Sequence, residues 1–323
     1  MFNLHGNRMF LRPLIALFLL TSSLLRAGDE HSDWFYRAWQ TEDGLPDNSI
    51  SGIVQSPDGY LWIGTNAGLI RFNGHEFSAL ALRDIPNLPS RQVRTLSMDR
   101  QGGLWLGMER GPVIGIQPDS FRIIGHPEGL PDKRVVDIVD DAEGRIWVVF
   151  STGVVRIEGD KILSLTTETG VPTDSHPCIV CDTDGQVWLT SGGKLGRLSD
   201  QGFELVEDFH DVDLRMIAAR DSGILLTDAK SLFHLSSGSD PVHLANLPEE
   251  LSINTLYEDS EGAVWICTQR KGLLRIFNGK VTSVPTSHAW IECITEDREG
   301  NIWAGTNGGG LNLIRPREVQ FLE

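Results

Sequence analysis

One phrase recurs along this chain with a period near forty residues, and nothing else in the sequence constrains the architecture as tightly. A short turn leads into a strand-like stretch centred on tryptophan. It reads Asp58-Gly59-Tyr60-Leu61-Trp62-Ile63-Gly64-Thr65, then Gly102-Gly103-Leu104-Trp105-Leu106-Gly107, and near the end Glu299-Gly300-Asn301-Ile302-Trp303. The anchor falls at positions 62, 105, 147, 188, 225, 265 and 303. The fifth copy has lost its tryptophan and carries Leu225 in that slot. Repeated units of this size share one continuous core, and seven of them imply a toroidal array.

The first copy shows what one unit builds. Ser49 to Gln55 is an extended segment, and Asp58-Gly59 is a hairpin turn signal. Tyr60 to Thr65 is β-rich, and Asn66-Ala67-Gly68 turns the chain again. Leu69-Ile70-Arg71-Phe72, the Asn73-Gly74 turn and His75 to Leu80 complete a four-stranded meander. Such a sheet exposes both faces and cannot fold alone; radial stacking buries those faces between neighbours. The expectation is an all-β, seven-bladed propeller of four-stranded antiparallel blades over residues 28–323. Ile53 with Leu61, and Ile294 with Ile302, should pack from blade to blade, as should most of the tryptophans.

Two further patterns fix the phase. Gly44-Leu45-Pro46 returns as Gly129-Leu130-Pro131 and Gly170-Val171-Pro172. Proline fixes φ and cannot donate to a ladder, so this element reads as a stereotyped loop between blades. The acidic residues Asp58, Glu143, Asp184, Glu261 and Glu299 recur once per unit at the hairpin turns. Their repetition points to turn chemistry, in which a short side chain bonds its own backbone, rather than to a catalytic pair. Eight residues separate Tyr36 from Gly44, as they separate Phe121 from Gly129, so Phe35-Tyr36-Arg37-Ala38 reads as an outer strand closing the ring. Val319-Gln320-Phe321-Leu322 reads as the start of another, so either the end is a short tail or, as is expected here, the gene product runs on into further blades.

Composition narrows the partners. A net charge of −16 argues against nucleic acid and against an anionic membrane surface. Arg8 and Arg12 precede an apolar run from Leu14 to Leu25, too short for a typical membrane span. Residues 1–27 therefore read as an export signal, with an uncleaved anchor as the alternative, and place the remainder in the periplasm. Cys178 and Cys181 fall three apart on one expected strand, on opposite faces and about 10 Å apart. That spacing suits neither a disulfide nor a shared metal, and the four cysteines read as inert thiols. No nucleophile elbow, zinc-protease, Walker or dinucleotide motif is present, so neither catalysis nor a cofactor is expected.

The stretch from Trp39-Gln40-Thr41-Glu42-Asp43-Gly44-Leu45-Pro46 through Trp62-Ile63-Gly64-Thr65-Asn66-Ala67-Gly68-Leu69 to Asn73-Gly74 resembles the two-component regulator propeller repeat. Trp303-Ala304-Gly305-Thr306-Asn307-Gly308-Gly309-Gly310-Leu311 fits the same pattern, and the resemblance extends over residues 34–323. It implies the periplasmic input region of a hybrid sensor histidine kinase, in a family thought to detect glycan breakdown products. It also implies that further propeller and immunoglobulin-like domains and a kinase core accompany such a region. No histidine-kinase or receiver signature occurs in this chain.

Ligands of propellers gather where loops from several blades meet over the central channel. Side chains there that break the repeat are Arg91, Arg134, Arg270, Trp290, Asn66, Asn307 and His176. Arginine or asparagine beside a tryptophan suits a small-molecule or oligosaccharide ligand, through bidentate hydrogen bonds and ring stacking. Two rival readings are a propeller lyase or hydrolase, which needs a histidine and an acid converging with a metal on one face, and a protein-interaction scaffold.

Overall fold

The structure, a computed structural model, describes residues 33–317 apart from 81, 83–87, 118–119, 174–175, 211, 229, 237 and 249–250. Residues 1–27, expected as an export signal, and Val319 to Leu322 lie outside the described residues. Seven four-stranded antiparallel sheets follow one another, and in each the strands pair in order from the innermost outward. Blade one runs from Ile50–Gln55 to Phe77–Ala79, and blade six from Ile253–Glu258 to Lys280–Val284. Blade seven takes three strands from the end of the chain and its outermost strand, Trp34–Trp39, from the beginning. Trp34 pairs with Pro316 and Trp39 with Leu311. Trp39 also stacks on Trp303 at 5.5 Å and meets Phe72 of blade one edge-on at 5.4 Å, so the closing strand is held by rings on both sides.

The core lies between blades. Ile53 and Leu61 of blade one share a cluster with Trp303 and Leu313 of blade seven. Ile294 and Ile302 of blade seven share one with Trp265 of blade six. Blades approach closely where the residue two past the tryptophan is small: a Cβ on Gly107 would sit 2.5 Å from a methyl of Val135 in the next blade. Three inter-blade loops share one form. A single 3-10 turn ends at Gly44, Gly129 or Gly170 with φ of 93°, 102° or 77°, which favours glycine. The following Leu45, Leu130 or Val171 then plugs the seam at 1% exposure.

The turn chemistry sits two residues earlier than the sequence reading placed it. Asp58 accepts one, from the Tyr60 amide, but Glu143, Asp184, Glu261 and Glu299 do not accept the turn's backbone hydrogen bonds among the described residues. Asp99, Asp141, Asp182, Asp259 and Asp297 do, each lying six residues before its tryptophan. In blade three one carboxylate oxygen of Asp141 accepts from the Glu143 and Arg145 amides at 3.1 and 2.9 Å. The other accepts from the Trp147 indole at 2.7 Å. The same indole bond is 2.8 Å in blades two, four and six, and 2.6 Å in blade seven. Burial alone raises the Asp141 carboxyl, but the Trp147 and Arg145 hydrogen bonds outweigh it and hold the group below the usual carboxylate range.

A second carboxylate set ties neighbouring blades. The last residue of an innermost strand accepts from a turn amide of the preceding blade: Arg100 N to Asp140 at 2.9 Å, Arg220 N to Glu258 at 2.8 Å and Ser260 N to Glu296 at 2.8 Å. Arg298 N reaches the Gln55 side-chain oxygen at 2.9 Å across the seam where the ring closes. Between blades one and two the donor position is Pro57, which has no N–H, and the matching acceptor position is Met98.

Candidate functional site

The seven innermost strands surround an axial cavity of about 750 Å³. Its lining takes in Arg134, Ser151, His176 and Glu109 from inter-blade loops and second-to-third-strand turns, and no residue of the first hairpin turns. The cavity therefore opens on the loop face singled out from the sequence.

Backbone geometry explains which side chains reach it. In blades one, two, three, six and seven the innermost strand slips register at its second residue. Ser51, Arg94, Val136, Asn254 and Glu292 are the skipped residues, and all five line the cavity. A bulge re-aims a side chain that strict alternation would send elsewhere. The next position adds Asp137 and Arg215, from blades three and five.

The charges are arranged in groups. Arg94 Nε lies 3.1 Å from Glu109 Oε2. Both atoms are buried and lack hydrogen-bond geometry with any partner among the described residues. Arg215 forks onto both oxygens of Asp213 and donates to the Leu214 and Asn254 carbonyls at 2.9 and 3.1 Å. Asp137 accepts from the Ile138 and Ile179 amides at 2.9 and 3.4 Å. Surrounding protein nonetheless raises its carboxyl to about 6, although the side chain retains contact with the cavity. Burial raises Glu292 as well, against the pull of Arg94 and of the Asn307 amide, which donates to it at 3.2 Å. Burial pushes the Cys178 thiol up to about 12. Cys178 packs with blade five while Cys181 packs on the opposite face with blade three, as their spacing required.

Of the seven candidates, Arg134 and His176 line the cavity. His176 holds a left-handed φ of 55° and places Nδ1 3.7 Å from Asp213. Asn307 touches the site through Glu292 and bridges to Ser49. Trp290 is half-buried behind Glu292; its carbonyl accepts from Asn307 N at 3.0 Å. Its indole N–H faces the Glu292 carboxylate without reaching hydrogen-bond geometry. Asn66, Arg91 and Arg270 are exposed on the same face and outside the lining, with Asn66 accepting from the Gln92 amide. Sequence reasoning missed Arg94, Asp137, Arg215 and Glu292. Aligning the copies eleven and ten residues before each tryptophan would have found them, since most copies carry small, apolar or neutral residues there.

A ring of seven four-stranded blades around an axial cavity lined by charged side chains defines the class: a β-propeller whose loop face is open. The repeat of the two component regulator propeller family matches four stretches of the chain, residues 44–67, 87–110, 246–270 and 283–308. A stretch of 63 residues, 20% of the chain, is 35% identical to histidine kinase P4 of Formosa agariphila and spans 4% of that relative. A streptogramin B lyase shares the fold with a TM-score of 0.74 at 15% identity, over 88% of this chain and 98% of the lyase. A structure described as the extracellular domain of a hybrid two-component system of B. thetaiotaomicron overlays with a TM-score of 0.71 at 20% identity, over 88% of this chain and 42% of that one.

Proposed function

We propose that this propeller is the extracytoplasmic ligand-binding module of a two-component system, that its ligand is carbohydrate-derived, and that it carries out no catalysis itself. The family repeat carries this reading, because it recurs in both halves of the ring. The matched kinase and the extracellular sensor domain support it from two directions. Its partners are then a histidine kinase core and the propeller and immunoglobulin-like domains that accompany such sensors. The axial cavity supports the binding half: its size lies within the range of ~300–1,000 Å³ typical of small-molecule sites, and charged groups converge on it. A thermal-shift screen of the chain against neutral and acidic oligosaccharides tests the reading, since a specific ligand raises the melting temperature. Stabilisation by one glycan and not its isomers is the expected result; none by any glycan removes the carbohydrate assignment.

One observation favours a second reading, a lyase. His176 and Asp213 stand 3.7 Å apart at the cavity mouth, and a streptogramin B lyase has the same fold. Turnover of a streptogramin B by the native chain, lost in His176→Ala, would establish it; a flat progress curve excludes that substrate.

A further inference from the structure

We propose that the axial cavity takes a carboxylate-bearing sugar, with Arg134 holding the carboxylate and the Arg94–Glu109 pair holding ring hydroxyls. The assignment rests on the sensing reading above and names its ligand class. It follows from matching each charge in the cavity with its partner.

Arg215 is neutralised by the fork onto Asp213, and Asp137 is held by two backbone amides. Arg94 stands against Glu109 and feels Glu292. One cation is left over. Among the described residues the Arg134 guanidinium makes no hydrogen bond or ion pair, and it is exposed at the cavity mouth. A lone, always-charged planar fork matches one carboxylate through two parallel N–H···O bonds. A dianion such as phosphate fits less well, because Glu109 and Glu292 lie in the same cavity and the whole chain carries −16.

The hydroxyl assignment comes from unmet hydrogen bonds. Arg94 Nε is a buried donor and Glu109 Oε2 a buried acceptor, 3.1 Å apart but out of line. Buried polar groups left this way are costly, and a native site normally supplies their partner. A hydroxyl is donor and acceptor at once and satisfies both. Beside them blade one contributes Ser51, Gly52 and Ile53, and the small size of the first two keeps the wall recessed enough for a sugar ring. A simple carboxylic acid would leave that pair unmet, and a neutral sugar would leave Arg134 unused.

The test is titration calorimetry on the whole chain with cellobiouronic acid and cellobiose, which differ by one carboxylate. The acid should bind at least tenfold more tightly. Arg134→Gln should erase the difference, while Arg71→Gln, on the third strand of blade one and away from the cavity, should preserve it. Glu109→Gln should weaken both sugars to the same extent. Equal affinity for the two sugars, or a preference that survives Arg134→Gln, overturns the carboxylate assignment while glycan sensing stands. Inorganic phosphate binding more tightly than the acid overturns the sugar assignment. If neither disaccharide binds, glucuronate and glucose provide the same comparison, and silence from all four overturns the inference. The broader reading falls only if the oligosaccharide screen is silent too.

Discussion

Blade six and blade five are neighbours built on one plan, yet they hold their first hairpin differently. In blade six Asp259, 4% exposed, accepts the Glu261 and Ala263 amides at 3.0 and 2.8 Å and the Trp265 indole at 2.8 Å. Arg275 from the third strand stacks over that indole at 5.6 Å and stands 3.9 Å from the carboxylate. Blade five has Ala219, Leu225 and His234 at the three matching positions. The backbone bond Ala219 N to Gly223 O, 3.0 Å, survives without them. Carboxylate, indole and guanidinium are absent together, which follows from electrostatics. A buried carboxylate without its donors is expensive, whereas replacing the whole set with apolar side chains is close to neutral. Carboxylate and indole are the recurring unit: blades two and seven keep both with Gly115 and Leu313 opposite the tryptophan, and blade one places Ser56 in the carboxylate position.

The largest effect should come from leaving that unit half-built. Asp259→Ala strands two amides and an indole N–H in a buried seam, and should lower stability by about 3 kcal/mol in urea denaturation. Ala219→Asp is the mirror experiment: it adds a buried carboxylate to a blade with no indole, and should destabilise by ~1–3 kcal/mol. If it stabilises, blade five already contains donors for an acid and the comparison breaks. Next comes Trp265→Leu, which copies the fifth blade's side chain into the sixth, at a loss of ~2 kcal/mol. Because Asp259 and Trp265 act together, the double variant Asp259→Ala/Trp265→Leu should lose at least about 1 kcal/mol less than the two single losses combined. Additive losses would mean that the indole packs without the bond mattering.

The seams between blades sharpen the same comparison at a smaller scale. Glu258→Ala removes the acceptor for the Arg220 amide that joins blade six to blade five, and should cost about 1 kcal/mol. Glu258→Gln keeps an oxygen in place and should be nearly silent. A loss of equal size in both variants would show that charge, rather than the hydrogen bond, secures the seam.

Most of the fold was legible because a forty-residue period is a global signal that local irregularity cannot erase. Blade five remained readable through its neighbours' spacing even without Trp, and the closing strand was readable from the eight residues between Tyr36 and Gly44. The clamp was misplaced by two residues because Glu143 or Asp184 sits beside the turn glycine, whereas Asp141 or Asp182 sits at the end of a strand and resembles a solvated edge. The site was legible only in its loops. Arg134 and His176 stand out there as breaks in the repeat. Arg94 and Glu292 do not, because each is the extra residue of a bulge, and period-two reading assigns it to the wrong face.

The smallest expected effect separates site from scaffold within a single strand. Val135 and Ile138 of blade three are buried in the inter-blade core, while Asp137 between them meets the cavity and carries a carboxyl raised to about 6. An acid whose folded pKa lies above its unfolded value of 3.8 binds more protons when folded, so stability falls as pH rises between those values and the penalty is complete above about 6. A shift of that size corresponds to ~3 kcal/mol in a sealed interior; contact with the cavity's solvent reduces it to ~1 kcal/mol. Asp137→Asn cannot ionise, and its side-chain oxygen still accepts one of the two amides. It should match the native chain near pH 4 and exceed it modestly at pH 7.5, as read from melting temperatures across that range. A variant less stable than the native chain at pH 7.5 would mean that the two amides prefer a full negative charge strongly enough to outweigh burial. Asp137 would then belong with Asp141, as a second structural clamp four residues earlier, and not with the groups that face the cavity.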